Sequence, residues 1–267
     1  MTAVPDTGSA NTWLYAVVQA PSGALPESLT GVAGEPLRLL DVPGLAAVAG
    51  SVPRADFDEE ALNAHIQDPA WLERAVRDHH RVVCVLGRTH RVLPMRFATL
   101  CQDDARAVEL LTERHDRLLA AVDHVSGRTE LGVKAWSAPR GAEASGPADG
   151  QSPGAAYLSR LRARRDERDR ATQAAMEQAS RVHARLAGVA ADWVQHPPQP
   201  GEATGRDEPM LLNCAYLVDD DRLPGFRSAV DAMAAETAEL TLELTGPWPP
   251  YSFAGHERQD AGEGESA

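Results

Sequence analysis

The first half of the chain contains short apolar segments with the patterns of β-strands. Trp13–Ala20 is rich in β-branched and aromatic residues, and Arg91–Leu100 alternates apolar and polar positions, so each predicts a strand. Pro36–Val52 is also apolar, and Pro43-Gly44 divides it into two strands joined by a tight turn. Glu130–Trp136 predicts one further strand.

Helical periodicity separates these strands. Asp56 or Asp58 can cap a short helix that ends near His65. Asp68-Pro69 begins a longer helix, with Asp at the N-cap and Pro at the first helical position, and Gly87 ends it. Asp103-Asp104 begins another amphipathic helix, whose inner side carries Leu110, Leu111, Leu118 and Val122. This mixed order predicts an α+β domain, in which helices cover one face of a largely antiparallel sheet.

The second half predicts a smaller α+β domain with a long helix. A helix over 154–189 is followed by a Pro/Gly loop (195–209), a strand (210–220), a helix (223–236) and a strand (239–246). The sequence therefore predicts a disordered N-terminus (1–12), an N-terminal domain (13–136), a linker rich in Ala, Gly, Ser and Pro (137–153), a C-terminal domain (154–253) and a disordered tail (254–267).

Composition and charge narrow the classes of function. The net charge of −13 opposes binding to nucleic acid and to anionic lipid. No apolar run approaches the roughly 18 residues of a membrane span, and the N-terminus lacks the features of a signal peptide. Cys84, Cys101 and Cys214 are far apart and lie in apolar runs, which predicts buried, reduced thiols in a cytoplasmic protein.

Asp78-His79-His80 has the residue types of metal-dependent phosphoesterases, but it lies inside a helical pattern. Adjacent residues on a helix point about 100° apart, so the three side chains cannot converge on one ion. His79 shares the apolar face with Val76 and Val83, which favours a core or interface histidine. With no nucleophile elbow and no phosphate-binding glycine loop, the sequence predicts no catalytic, cofactor or metal site.

A run of basic residues and one separate arginine could each indicate a binding site. Arg160–Arg170 is the only basic run, but Arg162/Asp166 and Arg165/Asp169 are i, i+4 pairs, which favour a solvated or partner-facing helix over a nucleic-acid site. Arg96 lies between Met95 and Phe97 in a predicted core strand. Structural ion pairing, with Glu73 or Asp103, is favoured for it over a carboxylate clamp.

An aromatic segment, TGPWPPYSF, follows the last predicted strand. Its three prolines remove backbone donors, so it cannot be a central strand and is expected to run extended across a surface. Trp248, Tyr251 and Phe253 then form either a clasp that folds back over the domain completed by the preceding strand, or an exposed anchor for a partner. The clasp is favoured, with partner binding by the three aromatics as the functional alternative.

Together, WLYAVV, LPMRFATL, MLLNCAYLV and TGPWPPYSF resemble the gas vesicle protein GvpF/GvpL family, over about Trp13 to Phe253. Ala98 stands where the family's LPLRFGT-like strand has a glycine. The resemblance implies a non-enzymatic accessory protein with two α+β domains, the first ferredoxin-like.

The same resemblance implies a cytoplasmic, monomeric protein that associates with gas vesicles. Its implied partners are the small hydrophobic shell protein and sister accessory proteins, without nucleic acid or membrane. A generic peptide-binding or scaffold protein, and less favourably a metal-dependent phosphoesterase built on Asp78, His79 and His80, are the alternatives.

Overall fold

The structure, a computed structural model, describes residues 10–20, 23–138 and 153–254, which divide into two compact units. The first unit comprises the described residues of Met1–Thr129 and Trp248–Ala267, and the second comprises Glu130–Pro247. Most of the predicted linker (137–153), of the predicted N-terminal segment (1–12) and of the predicted tail (254–267) lies outside the described residues.

The first unit contains a five-stranded antiparallel sheet centred on its first strand. The strands are β1 (Ala10–Gln19), β2 (Leu37–Val42), β3 (Leu45–Pro53), β4 (Val92–Pro94) and β5 (Leu100–Cys101). Their order is β2-β3-β1-β4, with β5 also paired to β1. The predicted β2–β3 hairpin is confirmed, and Gly44 at its turn has a φ of 79°, which suits glycine.

The prediction of one strand over Arg91–Leu100 is wrong, because the segment forms two short strands. β4 ends at Pro94, which pairs with Ala16, and the Met95 N–H donates one more backbone hydrogen bond to the Tyr15 carbonyl at 2.9 Å. The chain then turns, with Ala98 at a φ of 62°, before Leu100 rejoins the sheet opposite Trp13. The residues between the two strands therefore form a loop.

The described residues of the first unit form five α-helices. They are α1 (Arg54–Phe57), α2 (Glu59–Ile66), α3 (Pro69–Leu86), α4 (Asp104–Glu113) and α5 (His115–Val125). The predicted caps at Asp58 and Asp68 are confirmed, since their carboxylates accept hydrogen bonds from the N–H groups of Ala61 and Ala70. The single helix predicted from Asp103-Asp104 is instead two, because the chain breaks at Arg114, which has φ −110° and ψ 14°.

The second unit packs two helices on a four-stranded sheet. Its elements are β6 (Arg128–Ser137), α6 (Pro153–Ala187), β7 (Asp192–Gln195), the one-turn α7 (Gly201–Thr204), β8 (Met210–Asp219), α8 (Leu223–Glu236) and β9 (Leu240–Trp248). The sheet order is β7-β8-β6-β9. Its core contains Ala175, Ala179, Val182 and Leu186 of α6.

The α+β class and the two-domain organisation are confirmed, and two details are corrected. Leaving out α7, the second unit has the β-α-β-β-α-β element order of ferredoxin-like domains, which the resemblance had implied for the first domain. The predicted boundaries also move. β6 joins the second unit's sheet, and the described residues Trp248–Ala254 belong to the first unit.

Candidate functional site

An apolar groove lies along helix α3 in the first unit. It has a volume of about 520 Å³. Its lining comes from three parts of the chain: Glu73, Val76, Arg77, His79 and His80 of α3, Phe97 of the loop between β4 and β5, and Trp248 and Tyr251. We call this surface the α3 groove.

The three C-terminal aromatics differ in burial. Phe253 is 3% exposed and packs in the first unit, whereas Trp248 is 43% exposed and Tyr251 is half-buried. Phe253 is therefore a core residue of the first unit, whereas Trp248 has the exposure expected of a residue that contacts a partner. A partner-binding role for the three residues stays a prediction.

The segment from Trp248 packs in the first unit, on helix α3. The Tyr251 hydroxyl lies 3.4 Å from His80 Nδ1, and the rings of His80 and Trp248 are 5.8 Å apart. The clasp was expected to close over the domain that Glu239–Gly246 completes, and this expectation is wrong. Tyr251–Phe253 form a 3₁₀ turn, and the rings of Trp248 and Tyr251 both contact His80 of α3.

His79 forms the floor of the groove and is 2% exposed. Trp13 Nε1–H donates to its Nδ1 at 3.1 Å, so the ring proton is on Nε2, which donates to the Met95 carbonyl at 3.1 Å. Burial lowers the pKa of His79 to about 4, which keeps the imidazole neutral near pH 7. The expected core histidine is thus found, and it ties α3 to β1.

The neighbours of His79 point elsewhere. Asp78 pairs with Arg81 at 3.1 Å, and His80 approaches Cys84 Sγ at 3.3 Å. In the part of the chain that the structure describes, no three His, Cys, Asp or Glu side chains are grouped so that they could hold a metal ion. Asp78, His79 and His80 therefore do not converge on a common metal-binding position, although His79 and His80 both line the α3 groove.

Arg96 lies in the loop after β4, with its side chain exposed. The predicted structural ion pair is not found: within 10–20, 23–138 and 153–254, no acidic side chain pairs with Arg96. Of the two predicted partners, Glu73 pairs with Arg77 at 2.5 Å and Asp103 caps α4. The ion pair was predicted because Arg96 was expected to lie in a core strand. Since β4 ends at Pro94, Arg96 lies in a loop and its guanidinium is solvated instead.

Sequence reasoning missed a buried Tyr15–Glu35 pair in the first unit. The Tyr15 hydroxyl donates to Glu35 and accepts from the Val32 N–H at 2.8 Å. Burial, reinforced by the Glu35 charge, raises the pKa of Tyr15 far above its usual value. A Cβ at Gly50 would lie 2.3 Å from Glu35 Oε1, so the pair requires glycine there. Glu35 is a single acidic residue in a loop, so its sequence context did not predict this buried contact.

The remaining sequence predictions concern thiols, the basic run and membranes. All three cysteines are free, but Cys84 and Cys101 are half-buried and only Cys214 is fully buried. The Arg165–Asp169 pair forms at 4.0 Å, whereas no ion pair joins Arg162 to Asp166 among the described side chains. Within the described residues, no helix has the length and apolar character to cross a membrane.

The chain is similar to known proteins over nearly its whole length. The family described as "Gas vesicle synthesis protein GvpL/GvpF" matches residues 11–255. Gas vesicle protein L of Streptomyces sp. (strain CB03234) is 39% identical over 260 residues, covering 94% of this chain and 97% of that protein. Gas vesicle protein F of the same organism is 27% identical over 259 residues, covering 91% of this chain and 99% of that protein.

Solved structures of gas vesicle proteins share the fold. The crystal structure of GvpF from Anabaena sp. PCC7120 superposes with a TM-score of 0.65 at 16% identity, covering 93% of this chain and 100% of that chain. GvpF from Microcystis aeruginosa gives a TM-score of 0.62 at 17% identity, covering 92% and 99%. From the match over residues 11–255 and the 39% identical relative, the chain belongs to the GvpL/GvpF family of gas vesicle synthesis proteins.

Proposed function

We propose that this protein is a cytoplasmic accessory factor that binds the hydrophobic gas vesicle shell protein, or a sister accessory protein, through the α3 groove during nucleation and assembly. Membership of the family supports an accessory role in gas vesicles. The proposal adds the identity of the binding partner and the surface that binds it. The apolar lining of the groove supports both, since Val76 is 44% exposed and Trp248 is 43% exposed.

The groove is held in shape by contacts beneath it. Phe97 packs edge-to-face on His79, with ring centroids 5.8 Å apart and an interplanar angle of 77°. His79 is fixed in turn by its hydrogen bonds to Trp13 and Met95. A preorganised apolar surface loses little side-chain entropy on binding, so its contacts contribute more fully to affinity.

The occupant that fits is the apolar face of a helix from the shell subunit. A helix-in-groove complex needs an apolar floor and a polar rim, and here the Glu73–Arg77 ion pair lies on the rim with both side chains at least 70% exposed. A free shell subunit exposes apolar surface that drives aggregation, and covering that surface suppresses it. The charge of −13 on the chain helps to keep such a complex in solution.

Co-expression with the shell subunit tests the proposal, using two tryptophans of equal exposure. Trp248 lines the groove and Trp193 lies in the second unit, and each is 43% exposed. We expect the wild type to hold the shell subunit in the soluble fraction and to co-purify with it. Trp248→Ala should reduce recovery about tenfold, whereas Trp193→Ala should leave it unchanged, because interface aromatics are common hot spots.

Unfolding midpoints measured alongside establish that both variants are folded. A folded Trp248→Ala protein that recovers as much shell subunit as the wild type contradicts a role for the groove. Equal losses in both variants would also contradict it. Equal binding of unrelated apolar peptides by the groove would favour a generic peptide-binding or scaffold protein instead.

A further inference from the structure

In helix α6, the described side chains of residues 159–170 lack the packing of the second half of the helix. α6 has 35 residues and is therefore about 50 Å long. Four side chains of its second half are buried in the second unit's core, but every side chain described within residues 159–170 is exposed. We call Ser159–Arg170 the α6 arm. A helical segment of this length is marginal alone in water and gains most of its stability from packing, so the arm is suited to a partner.

The helix face that is buried in the second half of α6 can be followed into the arm, where it is exposed. The buried residues follow alternating steps of four and three positions: Ala175, Ala179, Val182 and Leu186. The same steps continued towards the N-terminus reach Thr172, Arg168, Arg165 and Leu161. Leu161 is 44% exposed. In the second half of α6 this face packs on the sheet. In the arm the same face carries Leu161, Arg165 and Arg168, at the spacing of the seam positions of a two-helix coiled coil.

The charge of the arm is opposite to that of the chain. Residues 160–170 hold six arginines and three acidic residues, a net +3, whereas the whole chain carries −13. The ion pairs Arg165–Asp169 (4.0 Å) and Arg170–Glu167 (3.1 Å) have side chains more than 70% exposed. Exposed pairs of this kind are weak, so these arginines remain available to a partner.

The charges of the α6 arm disfavour two kinds of binding partner. A second copy of the arm would bring Arg165 and Arg168 against an equally arginine-rich seam, and like charges at such positions repel. Nucleic acid is disfavoured because Asp166, Glu167 and Asp169 interrupt the basic run, and acidic side chains repel phosphates.

We infer that the α6 arm docks an acidic amphipathic helix of another protein, with apolar side chains meeting Leu161 and carboxylates meeting Arg165 and Arg168. Guanidinium groups bind carboxylates in bidentate geometry, which would fix the register of the two helices. The buried stripe would then be continuous, covered by the sheet in the second half and by the partner in the arm. This inference does not depend on the α3 groove.

Fluorescence anisotropy with a synthetic acidic helix tests the inference on the full chain. The probe has about four heptads, with leucine at positions a and d and glutamate at e and g. Arg165→Glu and Arg170→Glu are matched variants, since both change the charge by the same amount and both remove one intrahelical ion pair. The two positions lie about 140° apart around the helix, so only Arg165 faces the seam.

We expect wild-type protein to bind the probe, with affinity that falls as salt is raised. Arg165→Glu should weaken binding at least about tenfold and Arg170→Glu less than about threefold, because only the former meets the partner directly. Equal weakening by both variants would overturn the inference in favour of general charge attraction. Failure of the wild type to bind would overturn it, and so would tighter binding to a DNA duplex than to the probe.

Discussion

Protonation of His79 is expected to make the stability of the first unit depend on pH. The imidazole is 2% exposed, accepts from Trp13 and donates to the Met95 carbonyl. A second proton on Nδ1 would replace the acceptor with a donor facing the Trp13 N–H. Folding must therefore keep His79 neutral or lose this contact.

The pKa values fix the sign and the magnitude. The pKa of His79 is about 4 in the folded protein against 6.5 for a free histidine. Between these values the unfolded chain binds more protons, so this stability is complete above pH 6.5 and is lost as the pH falls towards 4. The full loss is about 3.4 kcal/mol, and about 2 kcal/mol is lost by pH 5.

Urea unfolding at pH 7.5 and pH 5.0 measures this effect, with wild type compared to His79→Gln. Glutamine can still donate to the Met95 carbonyl but does not titrate. We expect the wild type to lose about 2 kcal/mol more than His79→Gln between the two pH values. His90→Gln, at a half-buried histidine outside this network, is the control and should behave as wild type. If wild type and His79→Gln lose the same free energy of unfolding, the assignment of His79 as a neutral core histidine is refuted.

Three further predictions concern stability in the first unit. Ala98→Gly should raise the free energy of unfolding by about 0.5–1 kcal/mol, because Ala98 has a φ of 62°. An Ala→Gly change at an exposed helical position should lower the free energy of unfolding, and thermal denaturation of both variants compares the two effects. The Arg38 guanidinium, by hydrogen bonding, holds the pKa of Asp104 below its usual value, so Asp104→Asn should cost about 1 kcal/mol at pH 7. That deficit should shrink below pH 4, where the wild type also loses the charge, and a constant deficit in urea unfolding would contradict this. Gly50→Ala should cost about 1–3 kcal/mol, since its Cβ would lie 2.3 Å from the Glu35 carboxylate, and an unchanged melting temperature would show that the carboxylate can move.

Features fixed by neighbouring residues could be predicted from the sequence. The bounds of α8 (Leu223–Glu236), the Asp68-Pro69 start of α3 and the hairpin at Pro43-Gly44 all match the structure. Each depends on a cap, a turn residue or a short periodicity, and these act over a few positions.

Features that depend on distant pairing could not be predicted in this way. β7 has only four residues, immediately before a Pro/Gly-rich stretch, and its pairing with β8 defines it. β6 has an ordinary strand pattern, and nothing in that pattern shows which sheet it joins. These two strands complete the β-α-β-β-α-β order, so the elements predicted from the sequence could not show this order in the second unit. The ferredoxin-like first domain had been implied by the family resemblance alone.

The candidate site was predicted in part. Trp248 and Tyr251 were predicted as partner-binding candidates because aromatics are rare elsewhere, whereas His79 was expected to be a core or interface histidine because it lies on an apolar helix face. The groove between them depends on contacts across long separations, such as Tyr251 with His80, which no local pattern encodes. The exposure of Arg96 was missed for the same reason, since it follows from where β4 ends.

The first unit is interrupted in sequence by the second, and this has a consequence for how the protein is made. Trp248 and Tyr251 leave the ribosome only after Glu130–Pro247 has been translated, a delay on the order of 10 s. Until then α3 presents an unfinished wall, without the indole and phenol rings that complete the α3 groove. A nascent or prematurely terminated chain therefore lacks the complete groove, and the binding proposed for the groove would be restricted to completed chains.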